Sequence, residues 1–174
     1  MTRSMFGRRT ISFFLALPLV AMAGCASMGS GIDTSPPSTR GTHTVMGRGL
    51  FTGGIMVLVD AHLTDGRADG AMEYSQVHEG GGGALRVISV VSCVGIFRDG
   101  TEAVVAGPVS QVYGDIRNLF DTQDWWVLEI REGGEEGDLI RANRQPRIRA
   151  LERCHGGPTS IPNLRSVDGD ISIH

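Results

Sequence analysis

From residue 45 to the end, short apolar runs rich in Val and Ile alternate with glycines and Asp-Gly pairs. β-branched side chains fit a pleated surface better than a helical turn, and runs this short fall below ordinary helix length. Asp-Gly between apolar runs signals a tight hairpin, because both residues tolerate the left-handed backbone such turns need. Residues 49–51, 55–63 and 71–77 read as strands, the last two joined through 64–70 with its two Asp-Gly pairs. Residues 85–97 (LRVISVVSCVGIF) read as one long strand, which Asp99-Gly100 turns back into 103–109. Residues 125–131 (WWVLEIR), 139–143, 148–154 and 171–173 bring the candidates to roughly nine. Only 111–122 carries helical spacing, through Val112, Ile116, Leu119 and Phe120, and reads as a short helix or an ordered loop. The expectation is an all-β domain, an antiparallel sandwich or barrel of roughly eight to nine strands with one short helix at most.

The N-terminus follows a different rule. Arg3, Arg8 and Arg9 precede an apolar run over 11–23, with no acidic residue before Asp33. As a helix that run reaches about 20 Å, short of a ~30 Å hydrocarbon core, so it suits a secretory signal better than a membrane span. Its end, Met22-Ala23-Gly24-Cys25, resembles the lipobox of bacterial lipoproteins, with Met22 where Leu is usual. An ordinary signal peptide cut near Ala23 is the plainer alternative. Arg8-Arg9 is similar to a twin-arginine signal, but Thr10-Ile11-Ser12 follows that pattern only loosely, so general secretion fits better. The lipobox resemblance implies cleavage before Cys25 and a diacylglyceryl and N-acyl group on it, and several chains suffice for stable anchoring. Ala26 stands where an Asp would resemble an inner-membrane retention signal. The resemblance thus implies the outer membrane of a Gram-negative host, on its periplasmic or surface side.

The expected partition is a signal peptide at 1–24, a lipidated Cys25 with a flexible tether to residue 44, and a β-domain at 45–174. Residues 26–44 are polar around Pro36-Pro37 and bury too little to offset ordering entropy. As a random chain they reach about 25 Å. The 174 residues carry 16 Lys+Arg, all of them Arg, against 19 Asp+Glu. Removing 1–24 takes three Arg away and moves the formal charge from −3 to −6. An acidic chain of this kind is not expected to bind nucleic acid.

Gly47-Arg48-Gly49-Leu50-Phe51, the 70–74 stretch (GAMEY) and Leu85-Arg86-Val87 open a second resemblance. Trp126-Val127-Leu128-Glu129-Ile130-Arg131-Glu132-Gly133-Gly134 before Gly137-Asp138, and the closing 167–174 (VDGDISIH), complete it. Over 45–174 the chain resembles the post-COAP type domain, an extracellular bacterial β-module. It departs from that group at 109–124 and at the Arg-rich 145–154. The resemblance implies a β-fold and export, and no catalytic residues.

With Cys25 assigned to lipid, Cys93 and Cys154 are left for a disulfide in an oxidising compartment, or for two buried thiols. Cys154-His155 is a poor nucleophile–base pair, since neighbours on a strand point to opposite faces. His43, His62, His78, His155 and His174 lack metal-ligand spacing, although Asp60 and His62 share a strand face. Glu132, Glu135, Glu136 and Asp138 read as a charged hairpin tip that discourages edge pairing; they lack EF-hand spacing. Arg141, Arg144, Arg147 and Arg149, continued by Arg153, form a basic stretch that is a candidate anion-binding site or a solvated edge. Trp125-Trp126 places one indole on each face of a strand, as core on both sides or as core and a sugar platform. Gly80–Gly83 lacks the Lys and helix of a phosphate loop.

No metal, cofactor or catalytic residue is therefore expected. The function expected is a non-enzymatic, outer-membrane-anchored β-domain for binding or envelope structure, with an envelope protein or polysaccharide as partner. The alternatives are a small-ligand carrier with an apolar cavity and, less favoured, a secreted hydrolase.

Overall fold

A computed structural model describes residues 41–77, 84–114, 123–133, 137–158 and 164–174. Within them the chain forms β1 (Thr42–Phe51), β2 (Ile55–Thr64), β3 (Arg67–Val77), β4 (Ala84–Val90), β5 (Cys93–Phe97), β6 (Glu102–Tyr113), β7 (Asp124–Arg131), β8 (Leu139–Pro146), α1 (Arg147–Gly156) and β9 (Leu164–Ile173). The strand order is β4-β3-β2-β1-β9-β8-β7-β6-β5, and β4 pairs again with β6. That last pairing closes the sheet into an antiparallel barrel. All-β is correct, and of the two architectures expected the barrel is the one formed.

Closure depends on a strand that breaks in two. Residues 85–97 are not one strand: β4 and β5 are separated by Val91 and Ser92. The first half of β6 pairs with β5 and the second with β4, so one long strand spans both pieces. The break loses little hydrogen bonding, because Val91 N–H donates to the Gly70 carbonyl and Ser92 N–H to that of Ala106. Gly107 faces the break, and a Cβ there would sit 1.8 Å from the Val90 carbonyl oxygen. Only glycine lets the two walls approach this closely.

Period-two alternation sorts each strand. Along β2, Ile55, Val57, Val59, Ala61 and Leu63 are buried, while Met56, Asp60 and Thr64 are exposed. The inward residues of all strands pack into one cluster that includes Phe51, Met72, Val87, Val105, Leu128, Ile140 and Ile171. Eight walls leave an interior about wide enough for side chains to fill. Tyr74 and Trp126 meet there with ring centroids 5.2 Å apart, and burial raises the Tyr74 phenol pKa. Apolar inside and polar outside is the reverse of a lipid-embedded barrel. No helix among the described residues is long and apolar enough to cross a membrane.

Residues 148–154 are the main correction. They form helix α1, not a strand. Arg-Ile-Arg-Ala alternates like a strand, but Ala150, Leu151 and Cys154 also lie on one helical face, and Ala, Leu, Arg and Glu are good helix formers. The helix lies on the outer wall, where Ala150 and Cys154 pack with Cys93, Val104, Ala106, Trp125 and Val127 in a second cluster. The Cys93–Cys154 disulfide ties it to β5. Gly95 makes room for it: a Cβ there would lie 2.1 Å from the Cys154 carbonyl oxygen.

Other boundaries moved by a few residues. β1 starts at Thr42, three residues inside the expected tether, and the β2–β3 turn is Asp65-Gly66 alone, so Asp69-Gly70 lies within β3. The 111–122 stretch begins as the end of β6, and 115–122 lie outside the described residues.

Candidate functional site

The barrel seam between β8 and β9 has only two paired positions, Leu139↔Arg165 and Ile140↔Leu164. Further along, β9 stays paired with β1, but its backbone N–H groups on the β8 side meet no paired strand. Asp138 Oδ2 accepts from Ile171 N–H at 2.7 Å, and Glu132 Oε1 accepts from Ile173 N–H at 2.6 Å. The Asp138 carbonyl takes the Ser166 N–H, and its Oδ1 takes that of Gly133. Two carboxylates thus replace a missing stretch of ladder, since buried N–H groups must find acceptors. The sequence pattern predicts a charged hairpin tip here. Glu132 and Asp138 instead close the barrel, and Glu135 and Glu136 lie outside the described residues.

Beside this seam a cavity of about 520 Å³ opens at one barrel end, where β1 begins and β9 finishes. His43, Arg98, Asp99, Thr101, Glu132 and His174 supply its polar groups; Ile96, Phe97 and Ile173 supply apolar surface. Its wall is held by the β5–β6 turn, in which Arg98, Asp99 and Gly100 all take positive φ, at 49°, 55° and 92°. Such geometry costs a non-glycine residue roughly 1–2 kcal/mol. The Arg98 carbonyl offsets part of that cost by accepting from both the amide and the hydroxyl of Thr101. Glu102, only 2% exposed, pairs with Arg98 and Arg131 on the outer face below the turn. On the opposite rim, Thr44 and His174 exchange two backbone hydrogen bonds.

The arrangement is suited to recognition. Imidazole, carboxylate and guanidinium groups surround an apolar floor, so it matches a ligand or chain segment with an apolar body and a polar edge. The Thr101 hydroxyl already donates to a carbonyl. No group of three or more His, Cys, Asp or Glu among the described residues is placed to hold a metal ion. These residues come from four distant segments; the sequence singles out His43, His174, Glu132 and the Asp99-Gly100 turn separately, and nothing in it brings them together.

The other expected site residues are placed as follows. Cys25 and the lipobox lie outside the described residues, as do His78 and Gly80–Gly83. Cys93 and Cys154 are joined, so neither is a nucleophile. Asp60 and His62 pair at 2.8 Å on the outer face of β2. Trp126 is inside the barrel and Trp125 is buried on the outer wall with the Arg147 guanidinium 5.8 Å from its ring centroid, so neither forms an open sugar platform. Arg141, Arg144 and Arg149 reach Glu129, Asp124 and Glu152 respectively. Of the four candidate anion-binding arginines, three thus face a carboxylate and Arg147 faces the Trp125 ring. Compared with protein-family models, curated proteins and solved structures, the chain matches none.

Proposed function

We propose that this chain is a lipid-anchored outer-membrane protein whose barrel is a non-enzymatic binding module, working through its open end. The filled interior is the observation that supports binding at the rim over transport in a lumen: the residues that would line an apolar ligand cavity pack against one another. The end cavity offers polar and apolar groups together, as recognition of an envelope protein or polysaccharide requires. His43 lines that cavity and follows directly on the start of β1. The motifs resembling the post-COAP type domain include residues of β1, β3, β4, β7 and β9, which supports reading them as parts of a β-module.

The anchor rests on Met22-Ala23-Gly24-Cys25 and has its own test. Cells expressing the wild-type chain should incorporate radioactive palmitate into it, and Cys25→Ala should abolish the label and leave an unprocessed or soluble exported form. Equal label in both would refute the anchor.

A further inference from the structure

Arg153 stands apart from its neighbours. Arg141, Arg144 and Arg149 have carboxylates within 3.9, 3.4 and 2.9 Å, and Arg147 has the Trp125 ring. Arg153 is half-buried, and its Nη1 is sealed from solvent with no hydrogen-bond acceptor among the described residues. A guanidinium nitrogen that is buried and unpaired loses its hydration with nothing in return, which is costly. Arg153 also lines a cavity of about 450 Å³ with Gln145, Arg149, Glu152, Gly156 and Gly157, between the end of β8 and the outer side of α1. Among the charged side chains around it, Glu152 already faces Arg149. Among the described residues, that leaves the charge of Arg153 without an ion-pair partner.

We propose that this cleft binds a phosphate group, held by Arg153 and Arg149. The two lie one helical turn apart, so their forks can reach different oxygens of one tetrahedral anion, each through charge-assisted hydrogen bonds. Gly156 leaves the rim open, since a Cβ there would meet nothing within 4 Å. Glu152 is the built-in competitor. Its pair with Arg149 is on the surface, 71% and 56% exposed on the two side chains, and such pairs are worth little, so phosphate can displace it. The partial negative charge at the helix C-terminus keeps the affinity modest. The shared chemistry fits free phosphate and the phosphodiester of a lipid headgroup alike.

The test uses the mature chain in neutral detergent, titrated separately with inorganic phosphate and with short-chain phosphatidylglycerol, by calorimetry and phosphorus NMR. Saturable binding is expected with at least one probe, and the tighter probe identifies the source. Arg153→Gln should weaken it about tenfold or more, which corresponds to one lost charge-assisted pairing. Glu152→Gln should strengthen it several-fold. Arg149→Gln, a change at an exposed position, should weaken it and supplies the answer if Arg153→Gln fails to fold. Absence of saturable binding to both probes, or binding indifferent to both arginine substitutions, would overturn the proposal.

Discussion

Replacing Cys93 and Cys154 together by Ser should lower the unfolding free energy by about 4 kcal/mol, the chain-entropy value for a loop of this size. The two residues are 61 positions apart in sequence, so the reduced chain regains a large conformational freedom on unfolding. The loss should concentrate in α1. That helix has ten residues, fewer than the roughly 12–15 an isolated helix needs in water. Pro146 at its N-cap supplies no side-chain hydrogen bond. Only Ala150 and Cys154 are fully buried, and Ile148 is 72% exposed. Small apolar contacts cannot hold such a helix by themselves, so the bridge does. Urea denaturation should show the lower midpoint, and hydrogen exchange should show α1 amides losing protection while β2 and β7 keep theirs. Unchanged protection in α1 of the double Ser variant would mean that packing alone suffices.

The second large effect is at the seam. Asp138→Ala removes the acceptor for both the Ile171 and Gly133 N–H groups, in a place where Asp138 is 5% exposed. Losing charged hydrogen bonds and leaving buried donors unpaired should cost about 3 kcal/mol. Glu132→Ala, which frees only the Ile173 N–H among those bonds, should cost less. Thermal melts of the two variants give the ranking. Exchange of the β9 amides should also accelerate first in Asp138→Ala, since β8 holds β9 through only two paired positions. A cost below that of Glu132→Ala would show that the seam is held elsewhere.

The strands were legible because each depends on local pattern. The β2 alternation from Ile55 to Leu63, the WWVLEIR run and the Asp65-Gly66 and Asp99-Gly100 turns all carry their instructions within a few residues. The Cys93–Cys154 pairing was legible by count, given the expected export. Barrel closure was not, because it rests on β6 pairing with both β4 and β5 and on β9 returning to β1, contacts between distant segments. Helix α1 was misread because Arg-Ile-Arg-Ala satisfies a strand pattern, and the outer wall that selects the helical alternative is assembled from β5, β6 and β7. The acidic hairpin was misread for a similar reason: only the arrival of β9 turns Glu132 and Asp138 from solvated charges into acceptors. The end cavity draws on residues 43, 98–101, 132 and 174, and no motif links those positions.

The central claim is that the barrel binds its partner through the open end beside His43 and Glu132. The most direct test replaces Thr101, in that cavity, with a photo-crosslinking phenylalanine analogue in cells, and places the same analogue at Tyr113 for comparison. Tyr113 is half exposed at the far end of β6. A discrete ultraviolet-dependent adduct from position 101, absent from position 113, is the result predicted. Adducts from position 113 with none from position 101 would contradict it.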